Sequence, residues 1–245
     1  MTDHAPPPLD PARNALFLDF DGTFVDFAPE PDAIVVRPGG RELLKTVARR
    51  LGGALALVTG RRIENLDGHL GAVGLPTAGL HGQQSRMAAG EAIELRPTSP
   101  QMEEARRRIA DAIRPGDPIA VEDKGGALVL HYRRAPGEAP RARAIGARAV
   151  AGLADLHAQS GHDIVEVRQR GIGKAEAVRR FSEQPPFAGR IPVFVGDDTT
   201  DEDGFRAAAE LGGFGVKIGP GETAARYRLA DVSALHAWLA ASACG

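Results

Sequence analysis

Residues 16–27 read LFLDFDGTFVDF, and the fold turns on this stretch. Leu16, Phe17, Leu18 and Phe20 are apolar, Asp19 stands among them, and Asp21-Gly22-Thr23 ends the run. A short apolar run closed by glycine reads as a buried strand that ends in a tight turn. Carboxylates seldom enter such surroundings unless they are paired or hold a metal. Asp19 and Asp21 therefore stand at the carboxyl end of a strand, where open α/β sheets place their ligands. The chemistry this suggests is metal-dependent phosphoryl transfer to an aspartate.

The same pattern recurs along the chain. Leu55–Val58 is an apolar strand closed by Thr59-Gly60, and Ile191–Val195 runs into Gly196-Asp197-Asp198. Thr77–Leu80 and Phe214–Ile218 read as further strands. Helical spacing marks Arg41–Leu51, Arg62–His69, the stretch from Thr200 through Leu211, and Val232–Ala243. Strand and helix alternate, which predicts the α/β class with a parallel sheet covered by helices on both faces. The middle reads differently. Gln101–Ile113 is helical, Ala120–Val121 and Ala127–Tyr132 are strands around Asp123-Lys124-Gly125-Gly126, Arg141–Gln159 is a long helix, and Asp163–Arg168 is a strand. This predicts a small α+β module inserted into the α/β domain, with Pro97, Pro100, Gly171 and Gly173 as hinges. The expected division is residues 1–100 and 169–245 for the core and 101–168 for the insert. Residues 1–14, Pro-rich and polar, read as a loose tail.

Composition bounds the function classes. The 245 residues are 43% hydrophobic and 25% charged, with a formal net charge of -2. That is ordinary for a globular protein and carries no electrostatic footprint for nucleic acid. Arg106-Arg107-Arg108 and the arginines from Arg141 to Arg148 recur at helical spacing and read as solvated helix faces. Cys244 is the single cysteine, so no intramolecular disulfide forms; this fits a reducing cytosol, and a cytoplasmic location is expected. No apolar run approaches the roughly 20 residues of a transmembrane helix, so no membrane partner is expected.

Four strand-end signals converge: Asp19 with Asp21, Thr59-Gly60-Arg61, Lys174 at a helix start, and Asp197-Asp198 followed by Asp201. Phosphate monoesters repel anionic nucleophiles, so such a site needs compensating positive charge. Mg²⁺ takes oxygen ligands, and Asp19, Asp197 and the backbone carbonyl of Asp21 would supply them. Asp19 would attack phosphorus to give an aspartyl-phosphate. Asp21 would protonate the leaving alkoxide and then deprotonate the attacking water. Thr59, Gly60 and Lys174 would bind the phosphoryl oxygens, with Arg61 as a further phosphate or substrate contact. Asp198 and Asp201 would orient metal-bound water or Lys174.

In this order the four motifs resemble those of the haloacid dehalogenase-like phosphatases. Val121-Glu122-Asp123-Lys124, His131-Tyr132-Arg133, Gly79-Leu80-His81-Gly82, Glu166-Val167-Arg168 and the run from Gly196 to Phe205 are similar to trehalose-6-phosphate phosphatases within that superfamily. The resemblance runs from about Leu16 to Ile218. It implies a Rossmann-like core with an α/β cap inserted after the second motif (the C2 type), Mg²⁺ dependence, and trehalose 6-phosphate as substrate. It also implies that Glu122, Lys124, Arg133 and Glu166 bind the sugar, with His81 and Gly82 as further substrate contacts. A disaccharide is a dense array of hydroxyls, which fixed acids and bases can read. Gln169 and Ala175 stand where the family usually has Pro and Gly. A related sugar phosphatase or phosphomutase, or a non-catalytic sugar-phosphate sensor, are the rival readings. A separate trehalose-6-phosphate synthase could associate with the chain.

Overall fold

The computed structural model describes residues 4–27, 33–71, 73–88, 90–123, 126–161 and 163–244. In chain order the elements are β1 (Asn14–Leu18), α1 (Gly40–Arg50), β2 (Leu55–Val58), α2 (Ile63–Leu70), β3 (Thr77–Gly79), β4 (Gln84–Arg86), β5 (Glu94–Leu95) and α3 (Gln101–Ala112). They continue with β6 (Ala120–Asp123), β7 (Ala127–His131), α4 (Ala139–Val150), β8 (Leu156–Ser160), β9 (Ile164–Gln169) and α5 (Lys174–Ser182). The last are β10 (Ile191–Gly196), α6 (Asp201–Glu210), β11 (Phe214–Ile218), β12 (Tyr227–Leu229) and α7 (Val232–Cys244).

Two compact units emerge: Met1–Leu95 with Gly173–Gly245, and Arg96–Ile172. The first is built on a sheet of order β12-β11-β10-β1-β2-β3-β4-β5. From β12 to β3 the neighbours are parallel. β1 and β2 are buried at every position, as strands covered on both faces are. Strand order reverses around β1: β2 lies on one side and β10 on the other. That reversal opens a crevice at the carboxyl ends of β1 and β10. Beneath it, Phe17 stacks on Phe187 with ring centroids 5.3 Å apart, and Phe181 lies 5.5 Å from Phe187.

Several expectations need correction. β4 and β5 add antiparallel strands to one edge of the sheet, and β12 closes the other. All three are short and lack an apolar run, so periodicity does not reveal them. The long helix expected over Arg141–Gln159 stops at Val150, and from Leu156 the chain is strand β8. Gly152, with φ +74°, turns the chain, and pairing with β9 overrides the helical propensity of the alanines. The expected loose tail is pinned from His4 onward. Trp238 Nε1 donates to Pro7 O at 2.9 Å, Leu9 N donates to Ser242 Oγ at 3.1 Å, and Leu9 is buried. No helix among the described residues is long and apolar enough to cross a membrane.

In the second unit a sheet of order β6-β7-β9-β8 is covered on one face by α3 and α4. The unit reaches a few residues beyond 101–168 at each end. Ser99 ties the incoming segment to it: its N–H donates to Gln169 Oε1 at 2.7 Å and its hydroxyl to Asp155 Oδ2 at 2.6 Å. Gln169 thereby has a structural task of its own.

Candidate active site

The register of β1 against β10 sets Leu18 opposite Val195, so the residues after each strand arrive together. Asp19 N donates to Val195 O at 2.9 Å, which fixes the Asp19 backbone. Gly22 then turns the chain at φ +74°. A Cβ there would fall 2.3 Å from Asp197 Oδ2 and 2.3 Å from the Phe27 ring, so only glycine permits this approach. Thr23 is buried with its hydroxyl 2.9 Å from Asp197 Oδ1 and 3.2 Å from Asp19 Oδ2. It has one proton and donates to one of them at a time.

Lys174 opens α5, and its buried Nζ donates to Asp19 Oδ1 at 2.8 Å and to Asp201 Oδ1 at 2.5 Å. Asp201 opens α6. Its Oδ2 accepts the backbone N–H of Asp197 at 3.1 Å and of Asp198 at 2.9 Å. A Cβ on residue 196 would lie 2.2 Å from Asp201 Cγ, which explains Gly196. Asp201 thus shapes the β10–α6 turn and orients Lys174. Asp198 is exposed and accepts the N–H of Thr199 at 2.7 Å. Lys217, in β11, reaches the carbonyl of Asp197 and that of Ile218 at 3.0 Å.

Charge in this cluster is unbalanced. Burial raises the Asp19 carboxyl well above its usual range; Asp201 and Asp197 add to the rise, and Lys174 opposes it. Asp197 is pushed up to about 6, first by burial and then by Asp201, against the hydrogen bond from Thr23 and the charge of Lys174. Burial acts against the Lys174 ammonium, yet Asp19 and Asp201 outweigh it and raise its pKa above the ordinary lysine value. Carboxylate oxygens of Asp19, Asp197 and Asp201 lie within 4.8 Å of one another. An all-oxygen set with excess negative charge fits a hard divalent cation such as Mg²⁺. Both oxygens of Asp201 are tied to Lys174 and to backbone N–H groups, while Asp19 Oδ2 and Asp197 Oδ1 share the single proton of Thr23, which makes these two carboxylates the candidates to hold it.

Thr59 ends β2 and is buried, and its Oγ1 accepts the N–H of Arg61 at 3.1 Å. Arg61 grips Asp21 with two bonds of 2.7 Å, Nε to Oδ2 and Nη2 to Oδ1. Leu80 and His81 both take positive φ, 48° and 56°. That costly backbone sets the His81 ring against Gly60, where a Cβ would lie 2.8 Å from Cε1 and Nε2. Gly82 packs against the carbonyl of Gly173, just before Lys174.

In the second unit, Leu128, Leu130, Val165 and Val167 join the core under α3 and α4. Strand alternation then puts Glu122 and Glu166 on the opposite face, in one row with Val129. Glu122 Oε2 lies 3.0 Å from His131 Nε2. Glu166 is buried 3.9 Å from Arg168, while Arg133 is largely exposed at 3.7 Å from Asp163. Lys124 lies outside the described residues.

Sequence reasoning passed over Thr23 and Lys217. Thr23 lies inside the quoted motif, where its place after Gly22 marks a turn and gives no sign of the two carboxylates it meets. The signal for Lys217 was a lysine within the apolar strand Phe214–Ile218, a rare place for an unpaired ammonium.

The trehalose-phosphatase family model matches residues 17–233. The chain belongs to the trehalose-phosphatase family. Members of the trehalose-phosphatase family are phosphoric monoester hydrolases. The chain is 36% identical over 228 residues to the trehalose-6-phosphate phosphatase of Escherichia coli (strain K12), covering 93% of this chain and 86% of that protein. It is 40% identical over 208 residues to a probable trehalose-phosphate phosphatase of Sinorhizobium fredii (strain NBRC 101917 / NGR234), covering 84% and 78%. In fold it matches the C-terminal domain of C. albicans trehalose-6-phosphate phosphatase, with a TM-score of 0.76 at 20% identity over 94% of this chain and 92% of that one. Haloacid dehalogenase-like phosphatases share the arrangement, so the Rossmann-like core with an inserted α/β unit stands.

Proposed function

We propose that this chain is a Mg²⁺-dependent phosphatase that converts trehalose 6-phosphate to trehalose and phosphate through an aspartyl-phosphate on Asp19. The observation that carries it is the grouping of buried Asp19, Lys174 and Asp201 with half-buried Asp197 at the crevice of the parallel sheet. Asp19, Asp197 and the backbone carbonyl of Asp21 hold the cation. Bound Mg²⁺ offsets the charge of the phosphate and of the carboxylates around it.

Asp19 then attacks phosphorus, and the bond from phosphorus to the sugar oxygen breaks. The side chain of Asp21 delivers its proton to that oxygen. Water next attacks the aspartyl-phosphate, Asp21 takes a proton from it, and phosphate departs with Asp19 restored. Lys174 and the Thr59 hydroxyl bind equatorial oxygens, where positive charge and donors favour the transition state. Arg61 grips Asp21 in the resting site through two hydrogen bonds. Arrival of a phosphate dianion gives the guanidinium a competing partner and frees Asp21 to carry a proton. Glu122, Lys124, Arg133 and Glu166 read the sugar hydroxyls, with His81 and Gly82 setting the floor beside Gly60. The second unit serves as the cap.

Phosphate release with and without Mg²⁺ from trehalose 6-phosphate, glucose 6-phosphate and sucrose 6-phosphate tests the reading. Fast, Mg²⁺-dependent release from trehalose 6-phosphate alone is expected. Equal rates on all three overturn the specificity, and release from none overturns the catalytic reading.

A further inference from the structure

The face of the smaller sheet turned away from α3 and α4 carries more chemistry than Glu122 and Glu166. β8 follows the same alternation: Leu156 and Ala158 pack with the core under α3 and α4, so His157 and Gln159 lie on the opposite face. Gln159 pairs with Glu166, Glu166 with Val129, and Val129 with Glu122. One row therefore crosses β6, β7, β9 and β8 and reads Glu122, Val129, Glu166, Gln159. In the adjoining row Arg168 lies between Ala127 and His157. Arg168 Nε donates to His157 Nε2 at 3.0 Å, and its Nη2 donates to Gln159 Oε1.

That last bond settles how the amide is turned. A guanidinium has only donors, so it must face the amide oxygen, and the amide N–H₂ is left for another acceptor. Gln159 is half-buried, so part of it remains exposed. The carboxyl groups of Glu122 and Glu166 offer acceptor oxygens, whereas a sugar hydroxyl both donates and accepts. A donor at the end of the row completes the match. Strands lie about 4.8 Å apart, so the row spans roughly 14 Å from Glu122 to Gln159. A single pyranose ring cannot touch both ends, but a disaccharide can.

We infer that Gln159 is a sugar-binding residue that donates to a hydroxyl of one glucose ring while Glu122 accepts from the other, and that Arg168 is the positioning residue that holds the Gln159 amide. This deepens the proposed function and rests on it. It also gives the preference for a disaccharide phosphate a physical basis, since a monosaccharide leaves one end of the row unpaired.

The test uses the full chain and three variants, Gln159→Leu, Glu122→Gln and Arg168→Lys, with steady-state phosphate release from trehalose 6-phosphate and glucose 6-phosphate. Trehalose binding by calorimetry is the readout free of catalysis. Gln159→Leu and Glu122→Gln should each raise KM for trehalose 6-phosphate by about tenfold with kcat nearly unchanged. Only one of the two should raise KM for glucose 6-phosphate, because that sugar fills one end. Trehalose should bind Gln159→Leu about tenfold more weakly. Arg168→Lys, which loses the fork, should shift KM in the same direction as Gln159→Leu and on the same substrates. An unmoved KM in Gln159→Leu overturns the inference, as does an equal loss on both substrates in both variants, the mark of structural damage. Failure of the unaltered protein to turn over trehalose 6-phosphate overturns the functional reading first, and this inference with it.

Discussion

Replacing Lys174 with methionine removes the ammonium set between Asp19 and Asp201. The side chains of Lys174, Asp19 and Asp201 are 3%, 6% and 0% exposed, so solvent cannot screen what is left behind. Removing one partner of a buried ion pair costs about 3–5 kcal/mol, against about 0–1 for an exposed pair. The loss must depend on pH. Without Lys174 the folded-state pKa of Asp19, already raised by burial, rises further above its unfolded value near about 4. Groups raised in this way favour the fold below the unfolded pKa and lose that contribution as pH rises through the folded one. The variant therefore regains stability as pH falls from 8 to 5. In the unaltered protein the Lys174 contribution is constant over that window, because its pKa lies above the ordinary 10.5. Trp238, the single tryptophan, lies in α7 of the same unit and reports its unfolding by fluorescence. In chelator and urea at pH 8 the midpoint should drop by more than about 1 M, and the deficit should shrink at pH 5. A deficit under about 1 kcal/mol, the value of an exposed pair, or one equal at both pH values, refutes the reasoning.

Three further outcomes are expected. Asp19→Asn should lower turnover by at least about 10³-fold while leaving circular dichroism and the melting temperature intact, since it relieves a buried charge; more than a tenth of normal activity would remove Asp19 from the nucleophile role. Gly22→Ala forces a Cβ to within 2.3 Å of Asp197 Oδ2 at a φ of +74°, so the Mg²⁺ concentration for half-maximal activity should rise about tenfold or more, and an unchanged value contradicts the close approach. Asp197, raised to about 6, favours the metal-free fold in acid and loses that contribution as pH rises through 6. Mg²⁺ should accordingly raise the melting temperature at pH 7.5 and much less at pH 4.5, and equal stabilisation at both would argue that the carboxylates do not hold it.

What could be read from the sequence follows from how each element is stabilised. β1, β2 and β10 are apolar at nearly every position because both faces are covered, and such runs show in any reading. β4 holds Gln84, Ser85 and Arg86, and pairing with β3 rather than side-chain character makes it a strand. β8 hides within an alanine-rich stretch for the same reason. At the site, Asp19, Asp21 and Asp197 stand out because charge beside an apolar run is costly, and Lys174 stands out only as a lysine at a helix start that joins the other strand-end signals. The Arg61 grip on Asp21, the Thr23 hydroxyl between two carboxylates, and the hold of the second Asp201 oxygen on the backbone N–H groups of Asp197 and Asp198 are not legible in the sequence. Those depend on loops from distant parts of the chain meeting, which spacing along the sequence does not encode.

The larger unit is made of two stretches of chain with the smaller unit between them, and this sets an order of assembly during synthesis. About 170 residues separate the end of β1 from the start of its parallel neighbour β10. At roughly 5–20 residues per second a ribosome needs about 10–35 s to make them. Through that interval β1 can pair with β2 but has one edge open and part of its apolar surface uncovered. Residues 96–172 are contiguous and can collapse on their own in the meantime. The stretch LFLDFD is thus made well before it is enclosed, which exposes it to chaperones, or to a second nascent chain, until β10 emerges.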